Sequence, residues 1–323
     1  MMHLGSRAAC GRLVLRTALV AAIALPAALP AVAAQEMARP LQPSARFAQA
    51  RSHVSGSALA QRLIHSHRAH RAAKTAHFNF PYGLAADAFG NVYVTNYEAN
   101  TVSVIGANLK ATAGIITQGL SLPISIAVDP VGSVFVGNAT SSSTGYITKF
   151  TNAQPVLTIE TNATDPGSIA VDQFDDLYII SYGGIAADDA YGNSIFASEY
   201  AGYNLYAVAV GNTGVYAFND NSYLFGNGSY LLRTDGLQSI VGPAGAVAPA
   251  GAACGDGLCW YSDSATDTLW VNNGSNPNSV NLGYVPTGVA YDQLHNRVFV
   301  ADPLNNVVHI YNAQTLAFEK TIT

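Results

Sequence analysis

Charge is scarce in this 323-residue chain. Asp, Glu, Lys and Arg together make up 11% of it, less than half of the roughly 25% found in an average soluble domain. Basic residues thin out further along the chain. Beyond residue 78 only Lys110, Lys149, Arg233, Arg297 and Lys320 stand against 19 acids, a formal net charge of 5 − 19 = −14. So acidic a segment repels phosphate backbones, which argues against nucleic acid as a partner. Cysteine is limited to three residues. Cys10 precedes the apolar run at the N-terminus and is not placed as a lipid-attachment cysteine would be. Cys254 and Cys259, in CGDGLC, close a short loop. In an exported protein such a pair is most simply a disulfide, and a redox role is the minority view because four residues intervene where the redox motif has two. Neither a G-x-S-x-G elbow, a nucleotide loop nor a Cys–His pairing occurs.

What the chain does have divides it into three segments. Residues 1–34 carry Arg7, Arg12 and Arg16 without an acid, then the apolar run Thr17–Ala34, ending in small residues at AVAAQE. Pro26 and Pro30 interrupt that run, and the pattern is that of a cleaved secretory signal. Its removal leaves a net charge of −8 (12 bases, 20 acids). The expected location is therefore secreted or periplasmic, with no stable membrane insertion after cleavage. Residues 35–78 are rich in Ala, Arg, Ser and His. They read as a basic, disordered or loosely helical linker, whose positive charge could lie against the acidic remainder or an anionic surface. His65, His67 and His70 there are a weak metal signal.

The third segment, 79–323, is repetitive. GLAADAFGNVYVTN, SIAVDPVGSVFVGN, SIAVDQFDDLYIIS, AVAVGNTGVYAFND and GVAYDQLHNRVFVAD are copies of one unit, with a fainter copy around CGDGLCWYSD. The polar residue closing the second strand of each falls at Asn96, Asn138, Ser181, Asn219, Asp263 and Asp302, a period of about 40 residues that indicates a repeat architecture. Each copy splits into four short strands. In the first they are Leu84–Asp87, Asn91–Asn96, Thr101–Gly106 and Thr112–Gln118; in the last, Val289–Asp292, Arg297–Ala301, Val307–Tyr311 and Leu316–Ile322. Alternating apolar residues on both faces require each small sheet to be covered on both sides, which a radial array does. The expectation is an all-β, six-bladed β-propeller of four-stranded antiparallel blades. With the fourth strand of the last copy complete, the ring closes without a borrowed strand, although AHFNF (76–80) could still pair with an outer edge.

The first copy, with Pro81, Gly83, Ala85, Asp87, Gly90, Asn91, Tyr93, Asn96, Asn100 and Val102, and the last, with Pro286, Gly288, Ala290, Asp292, Asp302 and Asn306, resemble the NHL repeat and its relatives among six-bladed propellers. That resemblance covers residues 81–323 and implies architecture far more than activity. Gluconolactonase-like relatives place Asn or Asp in the P-x-G triplets to ligate an axial cation. Here those positions are Tyr82, Ile124, Gly167 and Thr287, which speaks against that activity. Lyase-like relatives rely on histidines, and beyond residue 78 this chain has only His295 and His309.

Two readings of the site residues follow. Asn96, Asn138, Asn219, Asp263 and Asp302 could form a metal ring, but a residue that recurs in every copy fits a structural turn cap better. Asp87, Asp129, Asp172 and Asp292 fit the same role at the end of the first strand. Recognition is expected in loops. Tyr82, Asp188, Asp189, Tyr191 and Tyr223 are the candidate ligand-binding residues, with Asp188, Asp189 and Tyr191 on an insertion between the second and third strands of the third copy. The pair Asp188–Asp189 leaves a divalent cation such as calcium open, though it falls short of a complete site, and no other cofactor is expected. The leading function is a monomeric, non-catalytic scaffold binding a protein or glycan. The alternative is a metal-dependent hydrolase or lyase, gluconolactonase-like or streptogramin-lyase-like, with an axial active site.

Overall fold

In the first repeat, the alternation of NVYVTN sends Val92 and Val94 to one side of the strand and Tyr93 to the other, and both sides are covered. The computed structural model describes residues 77–140, 144–161, 165–181, 184–189, 191–199, 205–212, 214–219, 228–233, 236–241, 248–272 and 278–323. It places 24 strands in six four-stranded sheets. Sheet one holds β1 (Pro81–Ala86), β2 (Val92–Asn96), β3 (Thr101–Ile105) and β4 (Ala111–Ile116). Sheet two holds β5 (Pro123–Val128), β6 (Val134–Asn138), β7 (Tyr146–Thr151) and β8 (Gln154–Glu160). Sheet three holds β9 (Ser168–Val171), β10 (Leu177–Ser181), β11 (Gly184–Asp188) and β12 (Ser194–Glu199).

Sheet four holds β13 (Leu205–Gly211), β14 (Gly214–Asn219), β15 (Gly228–Arg233) and β16 (Gly236–Val241). Sheet five holds β17 (Pro249–Gly255), β18 (Leu258–Asp263), β19 (Thr268–Asn272) and β20 (Asn278–Asn281). Sheet six holds β21 (Val289–Asp292), β22 (Arg297–Asp302), β23 (Val307–Asn312) and β24 (Phe318–Ile322). Every pairing is antiparallel and between sequence neighbours, as in Val92↔Ile105 and Val298↔Tyr311. The fold is a β-propeller with four-stranded antiparallel blades.

The apolar alternation decides where each blade goes. Val92 and Val94 pack against Phe299, Ala301 and Val308 of sheet six, while Tyr93 leans on the cluster of Val102, Ile126 and Val136 shared with sheet two. On β22 the same period splits the strand: Val298 and Val300 face Trp260 and Leu269 of sheet five, and Phe299 faces sheet one. Sheets two and three share Phe135, Ile147 and Leu177; three and four share Ile180, Ile185 and Val215; four and five share Phe218 and Tyr261. The core is thus a series of layers between blades, each sealed by residues of both neighbours. Trp260 is typical: its ring stacks on Tyr291 of the next blade at 4.2 Å, and its indole N–H donates to the Ala313 carbonyl at 2.8 Å.

The inner strands β1, β5, β9, β13, β17 and β21 follow one another around the axis, and β21 meets β1. Glycine makes this possible. A Cβ on Gly288 would lie 2.4 Å from the Tyr82 carbonyl oxygen and 2.7 Å from the Leu84 nitrogen, and one on Gly251 would lie 2.7 Å from the Gly288 Cα. The Gly288 N–H donates to the Tyr82 oxygen at 2.7 Å, so the first and last blades are joined by backbone at the axis. The described part of AHFNF, residues 77–80, does not form an edge strand. Phe78 is buried between sheets one and six, and the His77 ring bonds the Thr323 carbonyl at 2.6 Å, so this stretch seals the junction of the first and last blades.

The cysteine pair is a disulfide. Cys254 on β17 and Cys259 on β18 are cross-strand partners joined covalently. The turn between them carries Asp256, whose carboxylate accepts from the Tyr291 hydroxyl at 2.6 Å and the Gln293 amide at 2.7 Å, tying sheet five to sheet six.

Two outcomes follow. Gly288→Ala forces a methyl into neighbouring backbone and should lower the melting temperature well beyond Gly257→Ala. At Gly257 nothing lies within 4 Å of the added Cβ, and only the left-handed φ of 77° resists, at about 1 kcal/mol. Equal shifts in a thermal melt would show that the axial approach is not limiting. For a loop this short, loss of the disulfide in Cys254→Ser/Cys259→Ser should cost about 2 kcal/mol, read as a lower urea midpoint at unchanged slope.

Candidate functional site

Each blade presents two kinds of end. The first-to-second and third-to-fourth strand turns share one face, because equivalent positions of the inner strands meet around the axis and the strands therefore run the same way. The second-to-third turns and the links between blades share the other.

On the turn face the recurring device is an Asp whose carboxylate holds the N–H groups two and four residues on, with a Gly or Asp of positive φ three residues after it. In DAFGN the Asp87 carboxylate accepts from the backbone N–H groups of Phe89 and Asn91, each at 2.9 Å, and from the Asn91 side-chain amide at 2.8 Å. The Gly90 N–H closes the turn onto the Asp87 carbonyl, with Gly90 at φ 79°. Asp129 and Asp172 repeat the pattern with Val131 and Ser133, and with Phe174 and Asp176. Asp292 holds the His295 N–H and, at 2.7 Å, its ring Nδ1.

Asp188, Asp189 and Tyr191 are placed differently from the sequence expectation. Their segment joins β11 to β12, the third and fourth strands, and is no insertion between the second and third. DAYGN at 189–193 is a second copy of DAFGN: Asp189 accepts from the Tyr191 and Asn193 N–H groups at 2.9 and 2.8 Å and from the Asn193 amide at 2.8 Å. The period-40 comparison hid this, because the same turn serves a different strand pair. The Asn193 amide and backbone bonds hold the Asp189 carboxyl below the usual range. Asp188, half-buried, is shifted up by desolvation and by Asp189. Desolvation also raises Asp176, with Asp172, Asp189 and Asp175 adding to it. The two turns of sheet three therefore lie side by side with five carboxylates between them. Burial and Asp172 push the Tyr178 hydroxyl up to about 12.

Of the remaining candidates, Tyr82 is buried. It packs with Phe80 and Tyr97, at 6.5 and 6.3 Å between centroids, at the linker end of the axis, and desolvation shifts its hydroxyl far upward. The structure does not bring it together with the sheet-three acids. Tyr223 lies outside the described residues.

The polar residues ending the second strands fall at strand ends as the spacing predicts, but their bonds differ. Asp263 accepts from the Ala265 and Thr266 N–H groups, and Asp302 from the Asn305 N–H, so both cap the following turn, and Asp263 also accepts from the Ala248 N–H fifteen residues earlier. Asn96 and Asn138 accept from Asn79 and Ser121, seventeen residues earlier, and like Asp263 pin the link entering their own blade. Asn219 is buried at the end of β14. Asn100 and Asn306, both with positive φ, accept from Leu122 and Phe80 of the succeeding link. The amides knit blades together.

Two further groups bear on chemistry. An opening on the axis, with about 350 Å³ of empty space counting the open solvent in its mouth, is lined by glycines, by Tyr82, by aliphatic residues such as Leu84, Ile126 and Ile169, and by Ser125 and Ser168. Both hydroxyls serve the neighbouring blade: Ser125 donates to the Pro166 carbonyl and Ser168 accepts from the Val208 N–H. None of the lining residues carries a carboxylate or imidazole. On sheet six, His309 lies between the Thr321 hydroxyl at 2.9 Å and the Asp302 carboxylate at 3.3 Å, stacked on Tyr284 at 4.5 Å. His309 and Thr321 are direct cross-strand partners. Among the described residues, no group of three or more His, Cys, Asp or Glu is arranged to hold a metal ion, and no helix is long and apolar enough to cross a membrane.

No protein-family model matches the chain. A PE-PGRS family protein of Mycobacterium tuberculosis is 48% identical over 56 residues, 17% of this chain and 12% of that protein; the chain thus matches a small part of that relative's length. Among solved structures, a streptogramin B lyase aligns with a TM-score of 0.57 at 14% identity, covering 77% of this chain and 85% of its own. An auxiliary nutrient binding protein from Bacteroides thetaiotaomicron gives 0.55 at 13%, covering 72% and 69%. A gluconolactonase from Xanthomonas campestris gives 0.54 at 11%, covering 70% and 84%. At such identities the likeness is one of fold, and these neighbours place the chain among the β-propellers.

Proposed function

We propose that this chain is an exported, monomeric, six-bladed NHL-like propeller that works as a non-catalytic scaffold, binding a protein or glycan through its loops. The observation that carries this reading is the chemistry of the axis. Propeller enzymes of the kinds named above need acid–base or metal-binding groups converging on a cavity. Among the described residues the axial space is lined by glycines, aliphatic residues, Tyr82 and two serines whose hydroxyls are already bonded to neighbouring blades. The amides that a metal ring would use hold the links between blades. Six sheets in sequence order support the blade count, and the disulfide fits an oxidising compartment. Calcium at Asp188–Asp189 stays a proposal of low rank, since Asp189 is occupied by its own turn.

The competing reading, a hydrolase or lyase, draws on the one pairing that resembles a proton relay: Asp302, His309 and Thr321. The test is turnover. The full chain, with and without calcium, zinc and manganese, is assayed against lactones, aryl esters and cyclic depsipeptides. The expected outcome is no rate above the uncatalysed background. A rate that scales with protein and is lost in His309→Ala or Asp302→Asn would overturn the scaffold reading.

A further inference from the structure

The Asp-x-x-Gly turn fixes where its third residue points. With the carboxylate accepting from that residue's own N–H and from the one two further on, the side chain stands at the tip of the turn. A tip bathed in water ordinarily carries a polar residue. Here the tips are Phe89, Val131, Phe174, Leu294 and, on the second turn of sheet three, Tyr191, each between 65% and 83% exposed. Scattered single exposed apolar residues need no explanation. Four at one structural position of the same turn form a pattern, and Leu294, at the tip of a longer turn in which Asp292 holds the His295 N–H, extends it to sheet six.

They are also contiguous. Sheets six, one, two and three are successive around the ring, and the turns of sheets six and one touch: a Cβ on Gly90 would lie 3.0 Å from the His295 ring and 3.1 Å from the Asp292 carboxylate. In sheets four and five the equivalent turns contain Asn212 and Asp256. The apolar tips therefore form a crescent over four blades, ending at polar turns. Its floor is acidic. Asp87, Asp129, Asp172 and Asp292 open the turns, Asp129 and Asp292 being buried and Asp292 bonded to the His295 ring, and Asp172, Asp175, Asp176, Asp188 and Asp189 crowd the sheet-three end. There, like charge and desolvation together raise Asp176.

From this we infer that the turn-face crescent is the docking surface of the scaffold, and that its occupant is a protein segment presenting aliphatic or aromatic side chains interleaved with Lys or Arg. This rests on, and deepens, the scaffold reading above. The tips supply apolar contact area, and the carboxylates below them supply charge complementarity, which steers association and excludes acidic partners. Val131 and Leu294 offer neither a stacking face nor a polar group, so they suit a peptide's apolar side chains better than a sugar's hydroxyls.

The test uses the full chain and fluorescent peptides alternating Arg with Leu or Phe, followed by anisotropy. Controls replace Leu and Phe with Ser, or Arg with Glu, and a neutral oligosaccharide series is run in parallel. The Arg/Leu peptide should bind and weaken as salt is raised, and the Ser and Glu peptides should not bind. Phe174→Ser/Tyr191→Ser and Phe89→Ser/Leu294→Ser should each weaken binding about tenfold. Val156→Ser, an exposed site on the outer strand β8, should leave it unchanged. All these positions are exposed, so an unaltered melt shows that loss of binding is not loss of fold. Failure of every peptide to bind, equal binding of the Glu peptide, or insensitivity to the crescent substitutions would overturn the inference. Oligosaccharide binding untouched by those substitutions would remove the crescent and leave the scaffold standing, whereas the scaffold itself falls only to turnover.

Discussion

The molecule depends on how closely six inner strands can approach one axis. Their backbones touch where Gly83, Gly251 and Gly288 remove the side chains that would hold them apart, and at the first–last junction a backbone hydrogen bond from Gly288 to Tyr82 completes the circle. Blade packing is a consequence of that approach. Once the inner strands are set, the apolar faces of β2, β6, β10, β14, β18 and β22 meet across each gap, and every blade is buried by two neighbours. No single blade has a core of its own, so closure at the junction matters more than any one layer. The buried Phe78 and the bond from His77 to Thr323 tie the two ends of the described chain over that junction.

The same economy of backbone shapes the two faces in opposite ways. At the link end, side-chain amides reach back to the chain entering each blade, as Asn96 does to Asn79 and Asn138 to Ser121, and they sit deep and out of water. An amide committed to backbone N–H groups has little left to offer a ligand. At the turn end the carboxylates are equally committed, but the bonds that hold them throw the intervening side chain outward. Structural necessity at one face therefore silences it, while at the other it builds a regular array of projecting side chains whose identity the fold leaves free.

The repeat and its strands were legible because period-2 alternation and a period near 40 act on many residues at once. The predicted strand ends at Asn96, Asn138, Ser181, Asn219, Asp263 and Asp302 are the observed ends of β2, β6, β10, β14, β18 and β22. The disulfide was legible from spacing and loop composition. The roles of individual polar residues were less so. Asn96 and Asp263 are equivalent in the repeat and both accept from the link entering their own blade, from Asn79 and Ala248, yet the carboxylate also caps the turn that follows, whereas the amide donates to Thr101 and Ser103. The segment carrying Asp188, Asp189 and Tyr191 reads as an insertion because its turn serves the third and fourth strands, a use that the period near 40 does not show. Tyr82, placed among ligand residues for its chemistry, is enclosed by Phe80 and Tyr97, a contact across sequence distance that periodicity does not encode.

The apolar tips are the feature with least reason to exist for the fold alone. Asp, Gly and the strand-end residues are dictated by the turn's bonds, and any side chain satisfies the tip. Burial offers no explanation, since Phe89, Phe174 and Tyr191 are largely in water. Nor does strand propensity, because the tips lie outside the strands. Val156, Ile195 and Phe318 are also exposed, but singly, whereas placing Phe, Val, Leu and Tyr at the outermost points of one face works against solubility. That cost is set against the carboxylates directly beneath, which repel second copies of the same acidic face and so limit self-association. Apolar contact is thereby reserved for a surface of opposite charge. The pairing of exposed apolar tips with an acidic floor is selective where either alone would be indiscriminate.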